Sequence, residues 1–484
     1  MSDQKLETSH ILCNLATKER TMKTIHVFAA LALLFAAVSS NAQVVVKADA
    51  PVGKIKMMNA VNNGPQAPDP NSSTTNFPAY KAAEFPYARL HDAPINWGWA
   101  HTVDITCVFP DFDADVNDPE SYDFELTDAL LSDIQAAGTK VFYRLGQSIE
   151  KWSKKYGVIP PKDFKKWAKI CEHIIRHYTE GWADGFNYDI EYWEIWNEPD
   201  LGFKDGRWKK NMSPTWNGSD TDFFKFYEIT ANHLNKCFPD LKIGGPALCE
   251  NNDWADNFLK YMSEHKVELD FFSYHLYASG PDKFIAKNDV IKTLLDKHGY
   301  SDVEMILDEW NYLSNWTTEW HETMEVVTSN KGAAFLASVM SVCQDGPVDM
   351  LMYYDARPRV SYNGLFDFYK GAPLPQYYAL YAWKNLVNLG TQVKSVVTDC
   401  PDVYVTSAVG EDGRCGVLVS FFTNDKNVVA KRKVEIEIAG KDIKEAVSYV
   451  TGEFHVYTQV PIDFSDGKAS IWLAPNSFVY IDIR

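Results

Sequence analysis

From residue 54 to about residue 390 the chain repeats one theme, a short apolar run followed by a longer segment whose apolar residues fall on one helical stripe. The runs read as strands are Ile55–Ala60, Tyr87–His91, Lys140–Leu145, Tyr192–Glu198, Lys242–Leu248, Asp270–Tyr277, Met305–Trp310 and Met350–Asp355. Most lack polar alternation, as strands covered on both faces do. The helical partner is clearest after Pro160, where Phe164, Trp167, Ala168, Cys171, Ile174, Ile175 and Tyr178 share a stripe. Similar stripes predict helices over 125–137, 221–237, 253–265, 284–298, 331–344 and 376–388. Strand then helix, repeated in this way, predicts an α/β chain with a (β/α)8 TIM barrel over 54–390, an open doubly wound sheet being the alternative. The first connection, 61–80, is rich in Pro, Asn, Ser and Gly. Its helix is expected to be missing or displaced, and the loop to join the wall of a site.

Beyond residue 390 the rhythm changes to strand-like segments alone: Val403–Val409, Cys415–Phe422, Lys433–Ile438, Ala446–Tyr449 and Ser470–Leu473. Turn sequences such as Glu411-Asp412-Gly413 and Ser465-Asp466-Gly467 separate them. This predicts a β-sandwich accessory domain over 391–484, with Val44–Lys47 in the segment 43–53 as an extra strand. Packing support for the barrel is its expected role, and carbohydrate binding the alternative.

Residues 1–42 read as a leader. Met22 and Lys23 precede an apolar run from Ile25 to Val38, and Ser40-Asn41-Ala42 supplies a cleavage point before Gln43. The run is short for a membrane span, so the mature protein is expected to be secreted or periplasmic, with Met22 a candidate initiator. Composition fits a folded soluble chain, with 46% hydrophobic and 23% charged residues. The net charge of -18 leaves no basic surface to neutralise a phosphate backbone, which argues against nucleic acid as a partner. Seven cysteines follow Cys13 in the leader, an odd number that cannot all pair within the chain. Cys107, Cys171, Cys237, Cys249 and Cys343 sit in apolar contexts and read as buried, while Cys400 and Cys415 could bridge a hairpin. No C-x-x-C or H-E-x-x-H spacing occurs, so neither a zinc site nor any other metal or cofactor is expected. Sequons at Asn71, Asn211, Asn217 and Asn315 matter only in a glycosylating host.

In a barrel of this kind chemistry belongs at the carboxyl ends of the strands. Two carboxylates stand there, Glu198 in Trp196-Asn197-Glu198-Pro199 and Glu309 in Asp308-Glu309-Trp310-Asn311. Pro199 biases Glu198 towards an extended backbone, and a tryptophan beside each glutamate favours a raised carboxyl pKa. Two facing carboxyls are what glycosidic hydrolysis needs, and a retaining mechanism places them about 5–5.5 Å apart. The competing reading of each glutamate is a structural ion pair. Trp97, Trp99, Trp196, Trp310, Trp316 and Trp320 lie near strand ends, where flat aromatic faces can meet sugars, although tryptophan is by default a core residue. Tyr354 and Asp355, ending the eighth strand, are candidates for sugar hydroxyls. Arg357 and Arg359 are candidates for a uronate or sulfate, or for an ion pair with a neighbouring acid.

The segments Tyr87-Ala88-Arg89-Leu90-His91-Asp92, Trp193-Glu194-Ile195-Trp196-Asn197-Glu198-Pro199-Asp200 and Phe272-Ser273-Tyr274-His275-Leu276-Tyr277, with the C-terminal sandwich, resemble glycoside hydrolase family 39. This is the β-xylosidase and α-L-iduronidase family of retaining barrel glycosidases. The resemblance implies that Glu198 is the general acid/base and Glu309 the nucleophile. It implies that Asn197 binds the sugar 2-hydroxyl, that Tyr277 hydrogen-bonds the nucleophile, and that His275 and His91 line the pocket. Either histidine could instead satisfy a buried carbonyl. Asp308-Glu309-Trp310-Asn311 is also similar to the nucleophile segment of arabinofuranosidases, which leaves the sugar open. The expected activity is retaining hydrolysis of an oligo- or polysaccharide, β-xylosidase-like. The alternatives are β-galactosidase, α-L-arabinosidase or α-L-iduronidase specificity, transglycosylation through the same intermediate, or a non-catalytic carbohydrate-binding barrel.

Overall fold

The computed structural model describes residues 41–484 apart from 69–73, 94–100, 204–205, 359, 361 and 399. The apolar leader run, the sequon at Asn71, Trp97, Trp99 and Arg359 lie outside the described residues. Eight parallel strands close into a barrel: β2 (Met57–Asn62), β3 (Tyr87–Arg89), β4 (Lys140–Leu145), β5 (Tyr192–Ile195), β6 (Lys242–Leu248), β7 (Phe271–Ala278), β8 (Glu304–Tyr312) and β9 (Met350–Tyr353). Pairing of β2 with both β3 and β9 closes the ring and excludes the open doubly wound sheet.

The barrel interior is built in layers two residues apart, as strand geometry requires. Ala60, Tyr87, Phe142, Tyr192, Phe271, Ile306, Met350 and Met352 form an apolar floor, a cluster of their own. Two residues further along the same strands stand Asn62, Arg89, Arg144, Glu194, Ser273 and Asp308, all buried and all polar. The residues between them, Val61, Ala88, Tyr143, Trp193, Phe272 and Leu307, point outward into the main core beneath the helices. An apolar plug thus supports a charged layer, and the site sits on that layer.

Helices Glu125–Ala136, Phe164–Glu180, Asp220–Cys237, Asn252–His265, Pro281–Lys297, Asn330–Gln344 and Pro375–Leu389 cover the barrel close to the predicted spans. The Asp163 side chain accepts from the amides of Lys165 and Lys166 to start one, and Ser219 with Asp222 forms a capping box on another. Among its described residues the first connection holds only the six-residue helix Phe77–Ala82, as its composition suggests. Two short helices escape the periodicity, Ile105–Val108 and Trp320–Val327, because too few turns are present to reveal a stripe. No single helix among the described residues is long and apolar enough to cross a membrane.

The remaining strands are β1 (Ala42–Lys54), β10 (Thr391–Thr398), β11 (Val403–Val409), β12 (Cys415–Phe421), β13 (Arg432–Ala439), β14 (Ala446–Gly452), β15 (His455–Val460), β16 (Lys468–Leu473) and β17 (Ser477–Ile483). They form one hydrogen-bonded array in the order β15-β14-β17-β12-β11-β10-β1-β13-β16. Val44 and Val46 of β1, Val417 and Val419 of β12, Ile436 and Ile438 of β13 and Val479 and Ile481 of β17 share one core, so the array folds over on itself in two layers. β1 lies inside it, antiparallel to β10 and parallel to β13. The barrel helices Asn330–Gln344 and Pro375–Leu389 pack on β11 and β12, where the Ser338 and Ser420 hydroxyls meet at 2.8 Å and the rings of Phe335 and Phe422 at 5.5 Å. Cys171 and Cys343 are buried as expected and Cys415 is a buried free thiol, but Cys107 is exposed on a short helix turn and Cys237 and Cys249 are half-buried.

Candidate active site

Strand β5 ends three residues earlier than its apolar pattern suggests. Trp196 and Glu198 have φ of 77° and 48°, in the left-handed region, so the chain leaves the ladder there. Pro199 therefore does not keep Glu198 extended. The Glu198 amide bonds to the Ala247 carbonyl at 2.9 Å, and its carbonyl takes the Thr215 hydroxyl at 2.6 Å, which fix the turned backbone. Asp200 locks the turn to the next strand by accepting the amides of Cys249, Glu250 and Asn251 at 2.8, 3.0 and 2.9 Å.

Strand β8 solves a different problem. Consecutive strand residues point to opposite faces, yet Asp308 and Glu309 both reach the barrel axis. The pairing with β7 explains it: Tyr274 is opposite Leu307 but His275 is opposite Glu309, a bulge at Asp308. Trp310 then returns to the outer face, fully buried among Phe284, Phe335 and Tyr353, so it is a core residue and not the sugar-facing group that its neighbour suggested.

The side chains at this end converge. One oxygen each of Glu198 and Glu309 and Nδ1 of His275 lie within 4.8 Å of one another. His275 Nδ1 is 2.9 Å from Glu198 Oε1 and 3.4 Å from Glu309 Oε2, and its Nε2 is 3.6 Å from Asp308 Oδ1. The Tyr277 hydroxyl donates to Glu309 Oε2 at 2.8 Å. Arg89, fully buried, donates Nη1 to Glu309 Oε1 at 2.9 Å, Nη2 to Asn197 Oδ1 at 2.7 Å and Nε to Glu194 Oε2 at 2.7 Å, with Asp308 Oδ2 at 2.8 Å. Because Asn197 Oδ1 faces Arg89, its buried Nδ2 has no acceptor among the described residues. His91 is buried with Nε2 3.8 Å from Glu309 Oε1 and 3.6 Å from Asp92 Oδ2.

Charge in this enclosed layer is set by its neighbours. Burial opposes a charge on His275, but Glu309 and Asp308 outweigh it and hold the imidazole well above its ordinary range. Burial pushes the Glu309 carboxyl up, against the pull of His275 and Arg89. Burial likewise works on Asp308, yet Arg89 and His275 win and keep it below the usual carboxylate range. Glu194, buried and beside the Asp308 charge, is pushed from 4.5 up to about 8 although Arg89 pulls the other way. His91 goes well down, chiefly by burial, with Arg144 and Arg89 adding to the effect.

The Tyr354 hydroxyl donates to Asp92 at 3.3 Å and its ring lies 6.3 Å from that of Tyr277. Asp355 is fully buried and both its oxygens serve Arg357, at 2.8 Å from the amide and 3.0 and 2.7 Å from the guanidinium. Arg357 thus has the neighbouring acid as its partner, and Asp355 is a holder of Arg357 and not an open group for sugar. Trp196 is core, donating to the Thr215 carbonyl at 3.0 Å, whereas Trp316 and Trp320 stack near the site. Sequence reasoning gave no role to Arg89, Arg144, Glu194 and Asp308. The signal was available in the spacing Tyr87-x-Arg89, Phe142-x-Arg144, Tyr192-x-Glu194 and Ile306-x-Asp308, a polar residue two positions after each inward apolar one. The trio of Glu198, His275 and Glu309 could also reach a cation, as could Glu172, His233 and Cys237 away from the mouth, where Glu172 already binds Lys169 and Arg176.

Residues 78–360 match the family model for glycosyl hydrolases family 39. A β-xylosidase from Geobacillus stearothermophilus is 25% identical over 264 residues, 48% of this chain and 48% of its own length. The chain thus spans about half the length of the curated relatives it matches. A glucosidase from Croceicoccus marinus has a similar structure, with a TM-score of 0.73 at 22% identity over 92% of this chain and 99% of that one. A monomeric β-xylosidase from Caulobacter crescentus superposes with a TM-score of 0.65 at 14% identity over 91% and 99%. These likenesses cover barrel and sandwich together and carry the fold. The matched span contains both glutamates, the three recognised segments and all but the first strand of the barrel, and on it the chain belongs to glycosyl hydrolase family 39.

Proposed function

We propose that the protein is an exported retaining glycoside hydrolase, β-xylosidase-like, that cleaves oligo- or polysaccharide by double displacement. The observation that carries this reading is the approach of Glu198 and Glu309, with carboxylate oxygens within 4.8 Å. An inverting pair would stand about 6.5–9.5 Å apart to admit a water between them. Glu309, fixed by Arg89 and Tyr277, attacks the anomeric carbon while Glu198 protonates the departing oxygen, and a glycosyl ester forms on Glu309. Water deprotonated by Glu198 then cleaves the ester, with two inversions giving net retention. Asn197 Nδ2 is free for the sugar 2-hydroxyl. The β-xylosidase relatives support xylose as the glycone. The leader sequence before Gln43 supports export.

Wild type, Glu198→Gln and Glu309→Gln are assayed on aryl glycosides, xylosides first, with product stereochemistry followed by NMR. Full activity in either variant, or an inverted product, would falsify the mechanism. A non-catalytic sugar-binding barrel predicts no turnover by any of the three.

A further inference from the structure

Helices Phe164–Glu180 and Asp220–Cys237 are neighbours on the outside of the barrel. His233 and Cys237 stand four residues apart on the second helix and so share one face of it. That face meets Glu172 of the first helix: His233 Nε2 is 2.7 Å from Glu172 Oε2 and 3.8 Å from Cys237 Sγ, and the three atoms lie within 4.8 Å of one another. Among the described residues one other group of three such side chains converges as closely, Glu198 and Glu309 with His275 at the site. Only the group on the helices contains a thiol. Its third member lies 61 residues before His233, which is why no linear metal motif marks it.

A thiolate, an imidazole and a carboxylate are donors that Zn²⁺ takes in tetrahedral sites, three protein ligands leaving the fourth position for water. Ordinary zinc bond lengths set sulfur and nitrogen about 3.6 Å apart, and nitrogen and oxygen about 3.3 Å apart. The first separation is nearly met, and a small opening of the His233–Glu172 contact gives the second. The carboxylate is already aimed. Arg176 Nε holds Glu172 Oε1 at 3.0 Å while its guanidinium lies over the Phe238 ring at 5.0 Å, which leaves Oε2 turned towards His233. Lys169 Nζ competes for that oxygen at 2.8 Å, but its side chain is 36% exposed and long enough to turn into water. The His233 side chain is 32% exposed and Cys237 half-buried, so an ion has a way in.

We propose that Glu172, His233 and Cys237 form a zinc site that ties these two barrel helices together. Binding releases the Cys237 thiol proton, and any proton on His233 Nε2, with no change of oxidation state. The thiolate and carboxylate then balance the two charges of the ion. To test this, purified wild type, Cys237→Ser, His233→Ala and Lys169→Ala are stripped with EDTA, checked for folding by circular dichroism, and titrated with Zn²⁺ and with Co²⁺ as its spectroscopic stand-in. Wild type should bind Co²⁺ with a thiolate-to-cobalt charge-transfer band that Zn²⁺ abolishes, and Zn²⁺ should raise its Tm. Cys237→Ser should lose the band, and His233→Ala should weaken Zn²⁺ binding by more than about a hundredfold. Lys169→Ala, which removes the competing cation, should bind Zn²⁺ more tightly than wild type. A folded wild type that takes up no Zn²⁺ overturns the site, as does a charge-transfer band that survives Cys237→Ser. Unchanged affinity in Lys169→Ala overturns ligation by Glu172. Co²⁺ bound without the band places the ion at Glu198, His275 and Glu309 instead, and overturns the proposal equally.

Discussion

Arg89 holds Glu309, Asn197 and Glu194 through three different nitrogens. Lysine offers one point charge and cannot reproduce that fork. Arg89→Lys should therefore lower kcat/KM by at least about a hundredfold while the barrel stays folded, a comparison that steady-state kinetics and circular dichroism make directly. Glu198→Gln should lose about 10²–10⁴ in kcat/KM on poor leaving groups and far less on activated aryl glycosides, which need little protonation, while kcat falls on both because Glu198 also activates the water. A Brønsted plot of kcat/KM against leaving-group pKa checks it. Asp308 faces His275 Nε2 and sustains its proton, so Asp308→Asn should lower the imidazole pKa and move its loss of charge to lower pH. NMR titration of His275 reads that shift. The two glutamates were legible because each ends an apolar strand beside a distinctive neighbour. Arg89, Glu194 and Asp308 were not, because a strand that carries one buried charge among apolar residues reads simply as apolar until the ring of eight supplies its counter-charges.

Strand β8 shows where pattern reasoning stops. Its six apolar and charged positions from Met305 to Trp310 predicted the strand correctly, but the bulge at Asp308 cannot be seen in a single chain segment, since it exists only against β7. That bulge brings Asp308 and Glu309 inward together and sends Trp310 into the core. Trp310→Ala should accordingly cost about 3–5 kcal/mol of stability, seen as a lower Tm, instead of the selective loss of sugar affinity that a binding tryptophan would give. Helix spans were read well from their stripes, and the barrel from the alternation of the two element types. Strand β15 offers the contrary case: most of its residues are exposed on both faces, so no apolar rhythm marks it.

Across the whole molecule, the charged layer affects stability as well as chemistry. Glu194 titrates near 8 when folded and near 4.5 when unfolded. Between those values the folded protein holds a proton that the unfolded chain has released, so this group's contribution to stability falls as pH rises through the window and levels off above about 8. Glu194→Gln removes that dependence, and its Tm should decline less than wild type between pH 5 and pH 8 in calorimetry. The barrel and sandwich share helices as a common wall, and their joint likeness to whole solved structures was foreshadowed by the change of rhythm near residue 390.

The position of β1 has a consequence for how the chain acquires this shape. Its partners, Thr391–Thr398 and Arg432–Ala439, are made some hundreds of residues later, after all eight barrel strands. This strand, the first among the described residues, thus waits unpaired through synthesis of the entire barrel, with a row of free amides and the consecutive valines Val44, Val45 and Val46 that any other edge could capture. Completion of the sheet is a late, long-range closure, and such closures are slow. Valine-rich Ala42–Lys54 is therefore the segment where refolding should stall and where intermolecular strand exchange should begin.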